Sequence, residues 1–148
     1  MRNINYFYLL FICLLVPFLY ACPGKPPKPS NNTELIQKNW KVRQVTANGN
    51  TVYIDPPVST PNSQNYGAYR LNFTSATGFS RTDISGTVTT GTWQFDNNEK
   101  PQKIIFSTGE PAEVSLLSLS ENSLEVSYDV KSTKTGDTEY RIILIPAQ

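Results

Sequence analysis

The sequence predicts an all-β protein, an antiparallel up-and-down barrel of about eight strands preceded by a short helical turn. Three observations predict it. From Trp40 onward, short runs rich in Val, Ile, Thr, Tyr and Phe are broken by turn residues at intervals of about 8–12. No apolar pattern with a period of 3.6 runs on into a long helix. Every connection but one is short enough to join neighbouring antiparallel strands. Closure also removes the sheet edges that an all-β chain without disulfides would have to protect.

The elements follow in order. Thr33 to Lys38 has the composition of one helical turn leading into Asn39-Trp40. Trp40 to Val45 reads as a strand, Asn48-Gly49 as a tight hairpin turn, and Thr51 to Ile54 as the return strand. Tyr69, Leu71 and Phe73 alternate with Arg70, Asn72 and Thr74, the period of a half-buried strand. Thr77-Gly78 turns the chain into Phe79–Thr82, and Thr87 to Phe95 forms a longer strand with Trp93 and Phe95 on one face. The loop Asp96–Pro101 precedes Lys103–Phe106, and Thr108–Pro111 turns the chain into Val114–Leu119. Leu124, Val126, Tyr128 and Val130 give the cleanest alternation, and Tyr140 to Ile145 is the last strand, ended by Pro146. The long exception is Asp55–Gly67, a Pro- and Asn-rich connection read as a surface loop or a binding loop, with Tyr66 as its one amphipathic contact.

The N-terminus carries a different kind of information. Arg2 supplies a basic start, Phe7 to Phe18 is almost unbroken apolar sequence, and Ala21 is a small residue directly before Cys22. That is the layout of an export signal. The apolar run is shorter than the roughly 20 residues of a membrane-spanning helix and has Pro17 near its end. Leu19, Ala21 and Cys22 resemble the lipobox of bacterial lipoproteins. The resemblance implies cleavage before Cys22, a diacylglyceryl group on its thiol and acylation (palmitate or a similar chain) of the new amino terminus. On this reading residues 1–21 are a signal peptide, 22–32 a Pro-rich tether and 33–148 the folded domain. Pro23, Pro26, Pro27 and Pro29 make the tether extended, with a reach of roughly 30 Å. Proline rather than aspartate follows Cys22, which leans the expected location toward the outer membrane, facing the periplasm.

Charge and cysteine content exclude several functions. The chain has 13 basic and 12 acidic residues, and loss of Arg2 with the leader would leave them balanced, so no nucleic-acid partner is expected. Its two cysteines are Cys13, in the leader, and Cys22, so the domain has no disulfide and no thiol nucleophile. It has no histidine, the commonest general base and metal ligand. Glu110 with Glu113 and Asp137 with Glu139 are carboxylate pairs, but they fall at turns, where solvated charges are the ordinary reading. Asp96-Asn97-Asn98-Glu99 is rich in oxygen ligands yet lacks the spacing of a calcium loop. The sequence therefore predicts neither an enzyme nor a metal or cofactor site.

From Trp40 to the C-terminus the layout is similar to that of the lipocalin-like lipoproteins of Bacteroidetes. The residues that carry the resemblance are Trp40-Lys41-Val42 after a helical turn, Gly91-Thr92-Trp93-Gln94-Phe95, and the Leu117–Val126 hairpin. Lys38-Asn39-Trp40 lacks the glycine that opens the first strand of true lipocalins. The resemblance implies a β-barrel, expected here to bind a small apolar or amphipathic ligand or a partner. Tyr69, Phe73, Trp93, Phe95 and Tyr128 are the candidate ligand-lining residues. The same side chains would equally pack a filled barrel. In that case the domain would be structural, or would present its loops to a protein or glycan. Trp40 is expected to plug one end of the barrel rather than touch a ligand.

Overall fold

The computed structural model describes residues 31–57, 62–134 and 136–147. The leader, Cys22 and the tether as far as Ser30 lie outside the described residues, as do residues 58–61 of the long loop. A five-residue helix, α1 (Asn32–Ile36), opens the described chain. It begins at Asn32, inside the segment expected to be tether, because Asn31 caps it: the side-chain Oδ1 accepts from the Glu34 N–H at 2.9 Å.

Nine strands follow: β1 (Asn39–Ala47), β2 (Asn50–Ile54), β3 (Arg70–Phe73), β4 (Gly78–Thr82), β5 (Val88–Phe95), β6 (Lys103–Phe106), β7 (Glu113–Leu119), β8 (Leu124–Val130) and β9 (Thr138–Pro146). All pairings are antiparallel between chain neighbours, except that β1 also pairs with β3 and, along its whole length, with β9. The β1–β9 pairing closes the barrel. Asn48 and Gly49 both have positive φ, 48° and 80°, as a two-residue turn matched to strand twist requires.

Nine strands occupy eight positions around the barrel because β2 and β3 share one. Gln44 pairs with Ile54 of β2, while Lys41, three residues away on the same edge of β1, pairs with Arg70 of β3. The two short strands are halves of one interrupted strand, and the long connection is an excursion from its middle. β4 pairs with β3 and not with β2, which leaves the outer edge of β2 open. The excursion covers it. Asn62 clasps Ile54 with bonds to its N–H (2.9 Å) and its carbonyl (3.1 Å), and the Ser63 and Gln64 N–H groups both donate to the Val52 carbonyl.

One end of the barrel is shut. Trp40 is fully buried, and its indole N–H donates to the Ile36 carbonyl at 2.8 Å. Ile36 is likewise fully buried, so α1 and Trp40 form a plug where β1 begins, as expected for Trp40. The hairpin turns β1–β2, β4–β5, β6–β7 and β8–β9 lie at the opposite end.

Candidate functional site

Alternation sends Trp40, Val42, Leu71, Phe73, Phe79, Trp93, Phe95, Ile104 and Phe106 into the barrel. Phe73 meets Trp93 edge-on at 4.9 Å, Trp93 meets Phe95 edge-on at 5.1 Å, and Phe79 lies 4.8 Å from Phe106. The Trp93 indole N–H donates to the Ser75 carbonyl in the β3–β4 turn at 3.1 Å, which turns its polar edge toward the rim. Three of the five candidate residues, Phe73, Trp93 and Phe95, are thus brought together, and their rings fill one another's space as core.

The other two, Tyr69 and Tyr128, are separate from that cluster. The tyrosines that follow the leader and tether are Tyr53, Tyr66, Tyr69, Tyr128 and Tyr140, and all belong to one connected group. Tyr66 packs on Tyr53 (5.7 Å) and Tyr69 (6.2 Å), while Tyr128 stacks on its cross-strand partner Tyr140 at 5.5 Å and 15°. Electrostatic coupling of Tyr128 to Tyr66, Tyr69 and Tyr140 joins the two subgroups. Aromatic residues in this barrel are therefore sorted: Phe and Trp toward the plugged end, Tyr toward the hairpin end.

Arg81 sits between these regions. It shares the inward face of β4 with Phe79 and is 5% exposed. Its guanidinium lies over the Phe106 ring at 5.5 Å and donates to the carbonyls of Pro111 (3.2 Å) and Thr108 (3.4 Å), with the Tyr69 phenol beside it. The β6–β7 loop, Ser107–Ala112, is thereby drawn over the barrel. Gly109, at φ 78°, makes room, because a β-carbon there would overlap the guanidinium. No carboxylate among the described residues forms an ion pair with Arg81; those ion pairs are Lys41–Asp55, Lys103–Glu113, Lys131–Asp137 and Arg141–Glu125.

A groove of about 540 Å³ opens beside this end, lined by Glu110, Pro111, Ser127, Tyr128, Asp129 and Glu139 among others. A second, of about 390 Å³, shares Glu110, Pro111, Tyr128 and Asp129 and adds Val130 and Lys131. Neither is lined by Phe73, Trp93 or Phe95. Ile84 and Val88, in the β4–β5 hairpin, and Val130, at the end of β8, leave exposed apolar surface at the same end.

Burial dominates the chemistry of the phenols. It raises Tyr66 to about 12, with the Tyr140 and Tyr69 phenols adding to the shift. It raises Tyr128 further, with Tyr66, Tyr69 and Tyr140 adding and Arg81 opposing. Tyr69 is raised by burial against the pull of the nearby Arg81 charge. A phenol whose folded pKa is raised contributes stability that is complete below its unfolded pKa of about 10 and is lost as pH climbs through the folded value. In an alkaline titration, the phenolate absorbance of Tyr66, Tyr69 and Tyr128 should therefore rise only together with loss of near-ultraviolet circular dichroism. Ionisation of every tyrosine near pH 10 with that signal intact would contradict the burial.

Among the carboxylates that drew attention in the sequence, Asp96, Glu113 and Asp137 have hydrogen-bond or ion-pair partners. Asp96 Oδ1 accepts from the N–H groups of Asn97, Gln102 and Lys103, each at 2.9 Å, and Asn97 Oδ1 accepts from Glu99 and Lys100. Glu113 pairs with Lys103 at 2.9 Å and Asp137 with Lys131 at 2.7 Å. No group of three or more metal-ligating side chains occurs among the described residues.

Comparison with known proteins follows from this geometry. Residues 36–126 match the family described as the lipocalin-like domain. The fold is similar to that of a lipocalin-like protein from Bacteroides uniformis ATCC 8492, with a TM-score of 0.40 and 18% identity over 76% of this chain and 98% of that one. No curated protein matches the sequence.

Proposed function

Since the chain belongs to the lipocalin-like domain family, we propose that it is a lipid-anchored envelope protein whose barrel binds a small amphipathic molecule at its tyrosine-lined end. The sorting of aromatic residues carries this reading. A Phe and Trp half packed edge to face supplies a rigid floor. The opposite half offers rings with polar tips, an adjoining groove and exposed Ile84, Val88 and Val130. Such a surface suits a ligand with both an apolar and a polar part.

The anchor would be the lipid on Cys22, with the outer membrane, periplasmic side, as the location. The described chain starts at the plugged end, so the tyrosine end would face away from the lipid. A second reading, a structural or protein- and glycan-contacting domain without a small ligand, draws support from the packing of Phe73, Trp93 and Phe95. Native mass spectrometry of the protein purified from its own membrane separates the two. We expect acyl mass on Cys22 together with a co-purifying small amphiphile. Acylated protein that carries nothing would favour the second reading. Cys22→Ala should release the domain from membranes, and continued membrane retention would overturn the anchor.

A further inference from the structure

We propose that Arg81 is the anchor for a monocarboxylate headgroup. The inference rests on the reading of the tyrosine end as a ligand site and adds the ligand's chemical class. An arginine that is only 5% exposed is costly unless its charge is compensated. Here its partners are neutral: the Pro111 and Thr108 carbonyls and the face of the Phe106 ring. The carbonyl bonds, at 3.2 and 3.4 Å, are longer than the 2.7–2.9 Å typical of an arginine on a carboxylate. Arginine presents five N–H donors in a planar fork suited to two oxygens of one acid. No described carboxylate forms an ion pair with that fork, so a binding partner that brings one gains the charge compensation the protein lacks.

The surroundings narrow the choice of anion. Tyr69 lies beside the fork as a second donor, and Pro111, whose carbonyl Arg81 holds, lines the neighbouring groove with Tyr128. The stacked Tyr128–Tyr140 pair gives the ligand's apolar body a flat face. Glu110, Asp129 and Glu139 line that groove, so a doubly charged phosphate there would meet more repulsion than a singly charged carboxylate. The carboxylate would replace the Thr108 and Pro111 carbonyls on the guanidinium, and the Ser107–Ala112 loop, no longer held there, would open. Nothing covalent changes; one set of hydrogen bonds exchanges for another.

The test titrates the full chain carrying Cys22→Ala, free of detergent, with octanoate and with octan-1-ol by calorimetry. Octanoate should bind at least about tenfold tighter than octanol, and Arg81→Gln should reduce the ratio of the two affinities to about one. Tyr69→Phe, which deletes one hydroxyl, should lower the octanoate-to-octanol affinity ratio several-fold, so the proposal does not depend on Arg81→Gln folding. Equal affinity of the unsubstituted barrel for octanoate and octanol would overturn the anchor and leave the ligand site standing. Binding of neither would remove the ligand site, and the anchor with it.

Discussion

Replacing Trp40 with alanine should cost about 3–5 kcal/mol, read as a lowered urea midpoint with an unchanged slope. Trp40 is fully buried and does three things at once. Its ring fills the plugged end, its N–H satisfies the Ile36 carbonyl, and its strand pairs with both β3 and β9 at the closure of the barrel. The helix it holds has five residues, too few to persist without tertiary contacts. Loss of the indole leaves a cavity, an unsatisfied carbonyl and an unsupported plug. Against a typical domain stability of 5–15 kcal/mol, a loss of about 3–5 is large enough to leave part of the population unfolded. Trp40→Phe keeps most of the volume and loses the donor, so its cost should be smaller, about 1–3 kcal/mol. A Trp40→Ala loss under about 1 kcal/mol would contradict the plug.

Phe73→Ala should cost a similar amount, about 3–5 kcal/mol, and leave a mark that Trp40→Ala does not. Phe73 is 2% exposed and lies edge-on to Trp93 at 4.9 Å, with Phe106 at 6.4 Å. Strands β3, β5 and β6 hold those rings in register, so the space left behind cannot collapse fully. An apolar hole of that kind stays dry and admits a benzene-sized guest. Benzene should therefore raise the melting temperature of Phe73→Ala and leave the unsubstituted protein unaffected. A comparable rise in the unsubstituted protein would mean that the Phe and Trp half is open rather than filled.

These two residues also mark what could be read from the sequence. The period-two alternation of β3 is a direct consequence of strand geometry with one face in a core, and the Asn48-Gly49 turn takes the positive φ values its residues allow. In β8 the alternation holds for Leu124 and Val126 but not beyond, since Ser127 is buried and Val130, expected inward, is 45% exposed where the strand runs out of the barrel end. Trp40 as a plug followed from a large apolar residue directly after a helical turn. The interruption of one strand into β2 and β3 did not follow, because the excursion between them is rich in Pro, Asn and Ser and reads as a long surface or binding loop between two separate strands. Its Tyr66 is buried all the same, held against Tyr53 and Tyr69 at the open edge of β2.

The candidate site was half legible. Tyr69, Phe73, Trp93, Phe95 and Tyr128 all face the interior or its margin, yet alternation says which face a residue takes and not how far along the barrel it sits. Position along the axis depends on register, and register separates Tyr69 and Tyr128 from the three packed rings. Arg81 was missed although Phe79 and Arg81 share a face. Arginine is so seldom buried without a paired acid that the pattern alone argues for solvent. The signal available was the contradiction itself, a charge where alternation demands an inward residue.

The central claim is that ligand meets the tyrosine end and the Phe and Trp half stays a filled floor. Ring-labelled nuclear magnetic resonance tests it most directly, with the protein titrated by the amphiphile that co-purifies with it. The ring signals of Tyr66, Tyr69, Tyr128 and Tyr140 should shift together and saturate together, while those of Phe73, Trp93 and Phe95 stay in place. Shifts confined to Phe73, Trp93 and Phe95, with the tyrosines unmoved, would contradict it.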